Sequence, residues 1–169
     1  VYDPSPEADA TRGTVCDALV ESIDLVPTFI EVAGGEVPGH IVEGESLLPI
    51  LHGQASDTRR SHVICEYDYS GSPVAAALNA DVRDAVMFMI ADKTWKLIHC
   101  EGGFRPLLFD LVNDPGELTD LGASPEHEDT IAHLYDRLFA WARRPSQRTT
   151  RSERQLLDMR TKSRGRGVV

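Results

Sequence analysis

Cysteine is scarce in this chain of 169 residues, and its three cysteines, Cys16, Cys65 and Cys100, include no C-x-x-C pair. An odd number without paired spacing argues against a disulfide framework and against a zinc ribbon. We therefore expect three buried thiols in a reducing compartment, which predicts a cytoplasmic protein. No apolar run approaches the roughly 20 residues of a transmembrane helix, so no membrane association is expected.

The beginning of the chain lacks the features of a natural start. It opens at Val1 without a methionine, and its first residues have neither the basic nor the apolar region of a signal peptide. We expect the chain to be part of a longer protein. With 41% apolar and 26% charged residues, its composition is that of a folded domain with a core.

Charge is distributed unevenly. Residues 1–142 hold 8 Lys and Arg against 25 Asp and Glu, whereas residues 143–169 hold 9 against 2. A basic tail can bind phosphates, but the acidic body would repel a nucleic acid and no aromatic residues alternate with the tail arginines. We expect no nucleic-acid partner, and we expect the tail to contact an acidic surface of the same molecule or of a neighbouring subunit.

Two short helices are predicted in the first third of the chain. Residues 25–33 form the first, with Asp24 as its cap, Pro27 in its first turn and Gly34 at its end. Ser46 is placed to cap the second, which runs through Leu51. Residues 1–14 are rich in turn-forming and small residues and should be irregular.

The middle of the chain is typical of a small antiparallel sheet. Four short runs are rich in β-branched and aromatic residues, and they span residues 62–69, 85–92, 95–100 and 107–111. Only Lys93 and Thr94 separate the second run from the third, which predicts a hairpin.

A longer helix is predicted after the sheet. It opens at Ser124 as a capping residue, with Pro125 in the first turn, and continues to about Arg144 with apolar residues at helical spacing. The fold class is therefore α+β, with about four antiparallel strands packed by a C-terminal helix.

Two pairs of segments resemble a known family. Residues 22–34 and 43–53 read SIDLVPTFIEVAG and EGESLLPILHG, and residues 95–98 and 108–118 read WKLI and LFDLVNDPGEL, followed by Asp120 and Leu121. Their order and content resemble the C-terminal part of the sulfatase family in the alkaline phosphatase superfamily. Residues 120–127, 138–142 and 148–150 are most similar to the phosphonate monoester hydrolase branch.

The resemblance implies a domain organisation. Residues 1–61 correspond to the end of the sulfatase α/β catalytic domain, so the first helical segment belongs to that domain. Residues 62–145 correspond to the C-terminal subdomain, and residues 146–169 form a basic arm. The partner implied for this chain is its own catalytic domain.

The resemblance also implies chemistry that this chain lacks. Family members hydrolyse sulfate, phosphate or phosphonate esters with a formylglycine nucleophile and a divalent metal. Formylglycine arises from the cysteine of C-x-P/A-x-R, and none of the three cysteines here fits, although Cys16 comes nearest with Ala18 and Val20. The Asp-Asp, Asp-His and Asp-Asn pairs typical of the metal ligands are also absent from the sequence. We expect no catalytic residue and no cofactor in this chain, with both formylglycine and metal in the parent protein.

The residues offer two other site interpretations. A metal site built from His52, Asp57, His62 and Cys65 has no familiar spacing, and four polar loop residues are the simpler interpretation. Ser46 lacks the second glycine of a nucleophile elbow, which favours a capping role alone.

One residue is a candidate for contact with substrate. In the family this subdomain lies beside the active-site opening, so loops 66–80 and 99–105 could face the substrate. Arg105 is our candidate for the residue that contacts an anionic ester. The alternative is a surface arginine that pairs with the acidic body.

Two hypotheses for function follow. The first is the non-catalytic C-terminal part of a metal-dependent sulfuric ester or phosphonate monoester hydrolase, which supports the active-site opening and subunit assembly. The second is a free-standing oligomerisation module. The family resemblance predicts a homo-oligomer formed through the arm, whose apolar and basic contacts are Leu156, Leu157, Met159, Arg148, Arg151 and Arg154.

Overall fold

A computed structural model gives the structure of the protein and describes residues 1–54, 60–144 and 154. These residues form two compact units. The N-terminal unit contains residues 1–54 together with 144 and 154, and the sheet unit contains residues 60–143.

The sheet unit is built on four antiparallel strands in chain order. They are β1 (Val63–Asp68), β2 (Val86–Ala91), β3 (Trp95–Cys100) and β4 (Leu107–Asp110). The register pairs Ile64 with Ile90, Ile90 with Leu97, and Leu97 with Leu108, so these side chains share one face of the sheet. The predicted α+β class and the four antiparallel strands are confirmed, with bounds that differ by no more than one residue.

The core of the sheet unit lies between this face and the last helix, α4 (Glu128–Ala142). Leu134 and Leu138 project from α4 onto Ile90, Leu97 and Leu108, and all five are at least 97% buried. Burial of each such side chain contributes about 1.5–3 kcal/mol, so this layer is the main source of stability in the unit. The predicted packing of a C-terminal helix on the sheet is thus correct.

The two ends of α4 differ from the prediction. The Ser124 hydroxyl makes no cap hydrogen bond, and Pro125–His127 form a 3-10 turn instead. The Ser124 carbonyl accepts the His127 N–H at 3.1 Å, and this i to i+3 bond delays the helix to Glu128. At the other end α4 stops at Ala142, where the Arg143 side chain donates to the Phe139 carbonyl.

The connection between β1 and β2 contains a helix that the sequence reading missed. α3 spans Pro73–Ala77, and the hydroxyl of Ser72 accepts the Ala75 N–H at 3.3 Å. The cap followed by Pro73 is the same signal that predicted the last helix. The sequence pattern does not predict α3, because five residues are too few to display helical periodicity.

The N-terminal unit has little regular structure. It contains α1 (Leu25–Val32), α2 (Leu48–Leu51) and two 3-10 turns, Pro6–Ala8 and Ser22–Asp24. Gly34 ends the first helix with a φ angle of 75°, as predicted, and Gly53 ends the second with a φ angle of 68°. Both clusters of buried hydrophobic residues in the described part of the protein lie in the sheet unit.

Candidate functional site

The two loops predicted to face substrate lie at one end of the sheet. The β1–β2 connection returns to the sheet where the Tyr69 N–H donates to Ala85, and the loop after β3 leaves it where the Glu101 N–H donates to Val86. A Cβ on Gly102 would lie 3.1 Å from the Cβ of Asp84. The connections 69–85 and 101–106 therefore approach each other at this end, which we call the sheet end. The predicted loops 66–80 and 99–105 overlap it, but their first residues belong to β1 and β3.

Arg105 in the sheet end is held by a carboxylate. Its Nη1 lies 2.6 Å from Asp120 Oδ2 and also donates to the Pro106 carbonyl at 3.2 Å. The arginine side chain is 55% exposed. The structure thus agrees with the alternative interpretation, in which Arg105 pairs with an acidic group of the body. An anionic ligand would compete with Asp120 for this guanidinium.

Asp120 is itself fixed by the backbone. Its Oδ1 accepts the N–H groups of Leu108 at 3.1 Å and Gly122 at 2.8 Å. Partial burial acts to raise the pKa of Asp120, but the hydrogen bonds from Gly122, Arg105 and Leu108 outweigh it and hold the pKa below 3.8. The carboxylate is therefore ionised at neutral pH and pairs with the Arg105 guanidinium.

A second group of polar side chains lies under α4 and was missed by the sequence reading. His99 Nδ1 lies 3.0 Å from the Tyr135 hydroxyl, and its Nε2 lies 3.5 Å from a carboxylate oxygen of Glu101. The His99 ring stacks on Phe88, and burial raises the pKa of Tyr135. Side chains alternate between the two faces of a strand, so the sequence places His99 on the same face as Leu97. This alternation is the sequence signal that could have located the group. The group can relay hydrogen bonds but contains no activated nucleophile.

The side chains of the LFDLVNDPGEL segment stabilise a turn after β4. Asp110 Oδ1 accepts the N–H groups of Val112 and Asn113, both at 3.0 Å, in the turn that follows β4. Glu117 has a φ of 55° and accepts a hydrogen bond from Lys96 Nζ at 2.6 Å. The segment thus forms a turn and anchors it to β3.

The two earlier segments are joined by a buried aspartate. Asp24 is fully buried, and its carboxylate accepts the N–H groups of Glu21 and Glu45, both at 2.9 Å. The prediction that its side chain caps the helix 25–33 is wrong, because both oxygens are directed to these other amides. Gly44 allows the close approach, since a Cβ there would lie 2.2 Å from the Ile23 carbonyl oxygen.

Two hydroxyls complete this junction, which we call the Asp24 clip. Thr28 Oγ1 donates to the Asp24 carbonyl at 2.6 Å and accepts the Leu47 N–H at 2.8 Å. Ser46 Oγ accepts the Leu48 N–H at 3.3 Å. Leu47 is the N-cap of α2 and no side chain caps this helix, so the predicted capping role of Ser46 is wrong. The clip ties α1 to α2.

Donor groups for a divalent metal are dispersed in the part of the chain that the structure describes. No three His, Cys, Asp or Glu side chains come together there. His52 Nε2 lies 3.0 Å from Asp3 Oδ2, and His62 Nδ1 lies 3.0 Å from the Ser61 hydroxyl. Asp57 lies outside the described residues. The described residues therefore do not fit the metal that the family resemblance implies, and no reaction step is assigned to them.

The cysteines are less buried than predicted. Cys16 and Cys65 are exposed, Cys100 is half-buried, and all three are free thiols. The expectation of three buried thiols is wrong because Cys65 lies on edge strand β1 and pairs with Met89, on the sheet face opposite α4. Among the described helices, none has both the length and the apolar character to cross a bilayer.

Comparison with known proteins identifies the family. Residues 6–144 match the family described as "N-sulphoglucosamine sulphohydrolase, C-terminal". The chain belongs to this family. It is a sulfatase C-terminal region, which confirms the resemblance found in its sequence.

The individual matches agree with this assignment. The sulfatase C-terminal region is 32% identical over 143 residues to PehA, a multifunctional alkaline phosphatase superfamily protein of Trinickia caryophylli, and 31% identical over 117 residues to arylsulfatase K of Xenopus laevis. These matches cover 81% and 68% of this chain but 27% and 21% of the relatives. The phosphonate monoester hydrolase of Silicibacter pomeroyi has a similar structure, with a TM-score of 0.71 and 28% identity over 81% of this chain and 28% of that one. The chain thus spans about a quarter of the length of these relatives.

Proposed function

We propose that this chain is the C-terminal part of a metal-dependent sulfuric ester or phosphonate monoester hydrolase, whose formylglycine and metal ligands lie in the remainder of the parent protein. The match of residues 6–144 to a sulfatase C-terminal family carries this proposal. Residues 1–61 would complete the catalytic domain, and residues 62–145 would form the subdomain beside it.

The chain by itself is proposed to be non-catalytic. None of its cysteines stands in C-x-P/A-x-R, and the motif residues Asp24, Asp110 and Asp120 are occupied in fixing backbone amides. The purified chain should therefore hydrolyse neither aryl sulfates nor phosphonate monoesters at any divalent metal concentration. Metal-dependent turnover that follows the chain through purification would contradict this.

The reading frame before Val1 tests whether this chain is part of a longer hydrolase. It should encode C-x-P/A-x-R and an Asp-His or Asp-Asn pair. A start codon a short distance before Val1, with neither motif, would favour the alternative of a free-standing oligomerisation module.

Within the parent we propose that the sheet end borders the active-site opening and that Arg105 contacts the anionic ester. The support for this role is exposure alone, because a side chain that is about half exposed leaves the guanidinium accessible to an anionic ligand that competes with Asp120. Arg105→Ala in the parent should raise KM with little change in kcat, because ground-state and transition-state contacts are lost together. Arg143→Ala, which removes an exposed arginine that bonds to its own helix, is the control. Equal KM values for the two variants would exclude the role.

The basic arm, residues 146–169, lies outside the described residues except for Arg154. We propose that it joins subunits of a homo-oligomer, because its charge opposes that of the body. Truncation after Arg144 should lower the mass measured by light scattering at low salt without unfolding the sheet. An unchanged mass at both low and high salt would contradict the proposal. We also propose a cytoplasmic location, which three free thiols support.

A further inference from the structure

The two edges of the sheet differ in how they are covered. At the β4 edge the Leu108 N–H donates to Asp120 Oδ1 at 3.1 Å, and the Leu108 carbonyl accepts the Leu121 N–H at 2.8 Å. At the opposite edge, in β1, residues 65–68 are all exposed. An exposed edge strand offers its main-chain groups to a further strand.

The main-chain groups of Glu66 and Asp68 point away from the sheet. The Tyr69 N–H donates to the Ala85 carbonyl at 2.9 Å, so these two residues form a hydrogen-bonded pair. Because bonded and non-bonded pairs alternate along antiparallel strands, the amides and carbonyls of Glu66 and Asp68 are directed outward. Among the described residues, the Cys65 thiol is the one group near them, at 3.8 Å from the Glu66 carbonyl. These outward groups, which we call the β1 edge, can therefore bind one more strand.

The charge of the β1 edge restricts which strand can bind. The side chains of Glu66 and Asp68 lie on the same face as Ile64, and both are exposed. Direct pairing of two β1 edges would bring four carboxylates together, and like charges on neighbouring strands are destabilising. A strand with basic side chains would complement the edge instead.

The basic arm contains a segment with that character. It reads RTTRS from Arg148, lies outside the described residues, and includes two β-branched threonines, which favour a strand. Arg148 and Arg151 are three positions apart, so in a strand they face opposite sides. In any register one arginine shares the side of Glu66 and Asp68. The other shares the side of Tyr67, whose ring is 55% exposed and can accept a cation–π contact.

Helix α4 delivers the arm to this edge. At the start of α4 the His127 ring lies 5.4 Å from the Trp95 ring of β3, and near its end the Trp141 ring lies 6.5 Å from the Phe88 ring of β2. Phe88 is paired with Glu66. The arm therefore starts beside the β1 edge of its own subunit. When two such edges face each other across a two-fold axis, each arm can reach the edge of the partner.

We propose that the RTTRS segment of one subunit adds to the β1 edge of its partner as a fifth strand. This inference rests on the proposed homo-oligomer formed through the arm, and it names the surface that receives the arm. In such strand addition the main-chain hydrogen bonds supply affinity, and the alternating side chains supply specificity.

Amide hydrogen exchange measured by NMR tests the pairing. The amides of Glu66 and Asp68 should exchange at least about tenfold more slowly in the 169-residue chain than in a truncation after Arg144. The amides of Met87 and Met89 are the control, because they face β1 inside the sheet and should exchange equally in both proteins. Equal rates for Glu66 and Asp68 in the two proteins would overturn the inference. Protection that persists at concentrations where the chain is monomeric would place the arm on its own edge and would also overturn it.

Charge reversal tests the partner chemistry. Glu66→Lys should weaken subunit association at low salt by at least about tenfold, whereas Glu36→Lys, at an exposed site of the N-terminal unit, should change it by less than about twofold. Adding Arg148→Glu and Arg151→Glu to Glu66→Lys should restore association to within about threefold of the original. Equal effects of the two lysine variants, or no rescue, would refute the pairing.

Failure of this inference can be told apart from failure of the oligomer itself. If truncation after Arg144 leaves the mass unchanged, the proposed oligomer through the arm is wrong. If truncation lowers the mass while the amides of Glu66 and Asp68 exchange at the same rate, the oligomer stands and the arm binds a surface other than the β1 edge.

Discussion

The two units of this protein belong to the same family match but are stabilised in different ways. The sheet unit encloses Ile90, Leu97 and Leu108 under α4, whereas the N-terminal unit has no such cluster in its described residues and buries Asp24, which accepts two backbone hydrogen bonds. Its helix α1 leaves Phe29 largely exposed. A family boundary drawn from sequence therefore need not coincide with a unit that is stable by itself. The following predictions test this contrast.

The largest effect is expected in the core of the sheet unit. Leu97→Ala removes a fully buried side chain and should lower the free energy of unfolding by about 2–5 kcal/mol. Phe29→Ala should change it by no more than about 0.5 kcal/mol, because the ring is already exposed. Urea denaturation followed by tryptophan fluorescence measures this, since Trp95 and Trp141 both lie in the sheet unit. Similar losses for the two variants would mean that α1 contributes to the same core.

A smaller effect is expected in the Asp24 clip. Gly44→Ala would place a Cβ 2.2 Å from the Ile23 carbonyl oxygen, so the backbone must shift at a cost of about 1–3 kcal/mol. Gly39→Ala is the matched control, because no atom lies within 4 Å of its Cβ. Limited proteolysis of residues 20–50 should be faster in Gly44→Ala only. Cleavage at the same rate in both variants would show that the clip does not hold this unit.

Acid should weaken the sheet unit through Asp92. Burial acts to raise its pKa, but hydrogen bonds from the Trp95 and Thr94 amides and from Arg137 outweigh burial and lower the pKa below 3.8. The stability that Asp92 contributes is therefore complete above the ordinary carboxyl pKa and is lost as the pH falls below about 3.8. Asp92→Asn should reduce the difference in unfolding free energy between about pH 6 and about pH 3. An unchanged difference would assign the acid sensitivity to other carboxylates.

The smallest effect concerns Arg105. Its ion pair with Asp120 has an arginine side chain that is 55% exposed, and exposed pairs contribute about 0–1 kcal/mol. Arg105→Ala should therefore leave the urea midpoint of this chain nearly unchanged. A large loss of stability would mean that Arg105 is a structural residue and would weaken its proposed role at the substrate.

Sequence predicted the sheet better than it predicted the sites. Strand β3 was located to the residue, because Trp95–Cys100 combines strand-forming residues with turn signals at both ends. The ion pair of Arg105 was anticipated only as a possible contact with some acidic group, since Asp120 is distant in sequence. The group around His99 was missed for the same reason, because it forms only when α4 brings Tyr135 onto β3.

Some local sequence signals predicted the wrong role for a side chain, because contacts formed in the folded chain determine what that side chain binds. Asp24 has the position of a helix cap, but its carboxylate binds the Glu45 amide 21 residues away. Gly44 permits that contact by the close approach of two backbone segments, and sequence alone shows the glycine without showing its neighbour. The Ser124 side chain does not form its predicted cap, because the residues that follow it form a 3-10 turn.

Hydrogen exchange of the monomeric chain tests the central contrast most directly. Amides in α1 should exchange at least about tenfold faster than those in β2 and β3, because α1 lacks buried apolar contacts on its outer face. Exchange in residues 25–32 as slow as in residues 86–100 would contradict the account, since the N-terminal unit would then be as stable as the sheet without any partner.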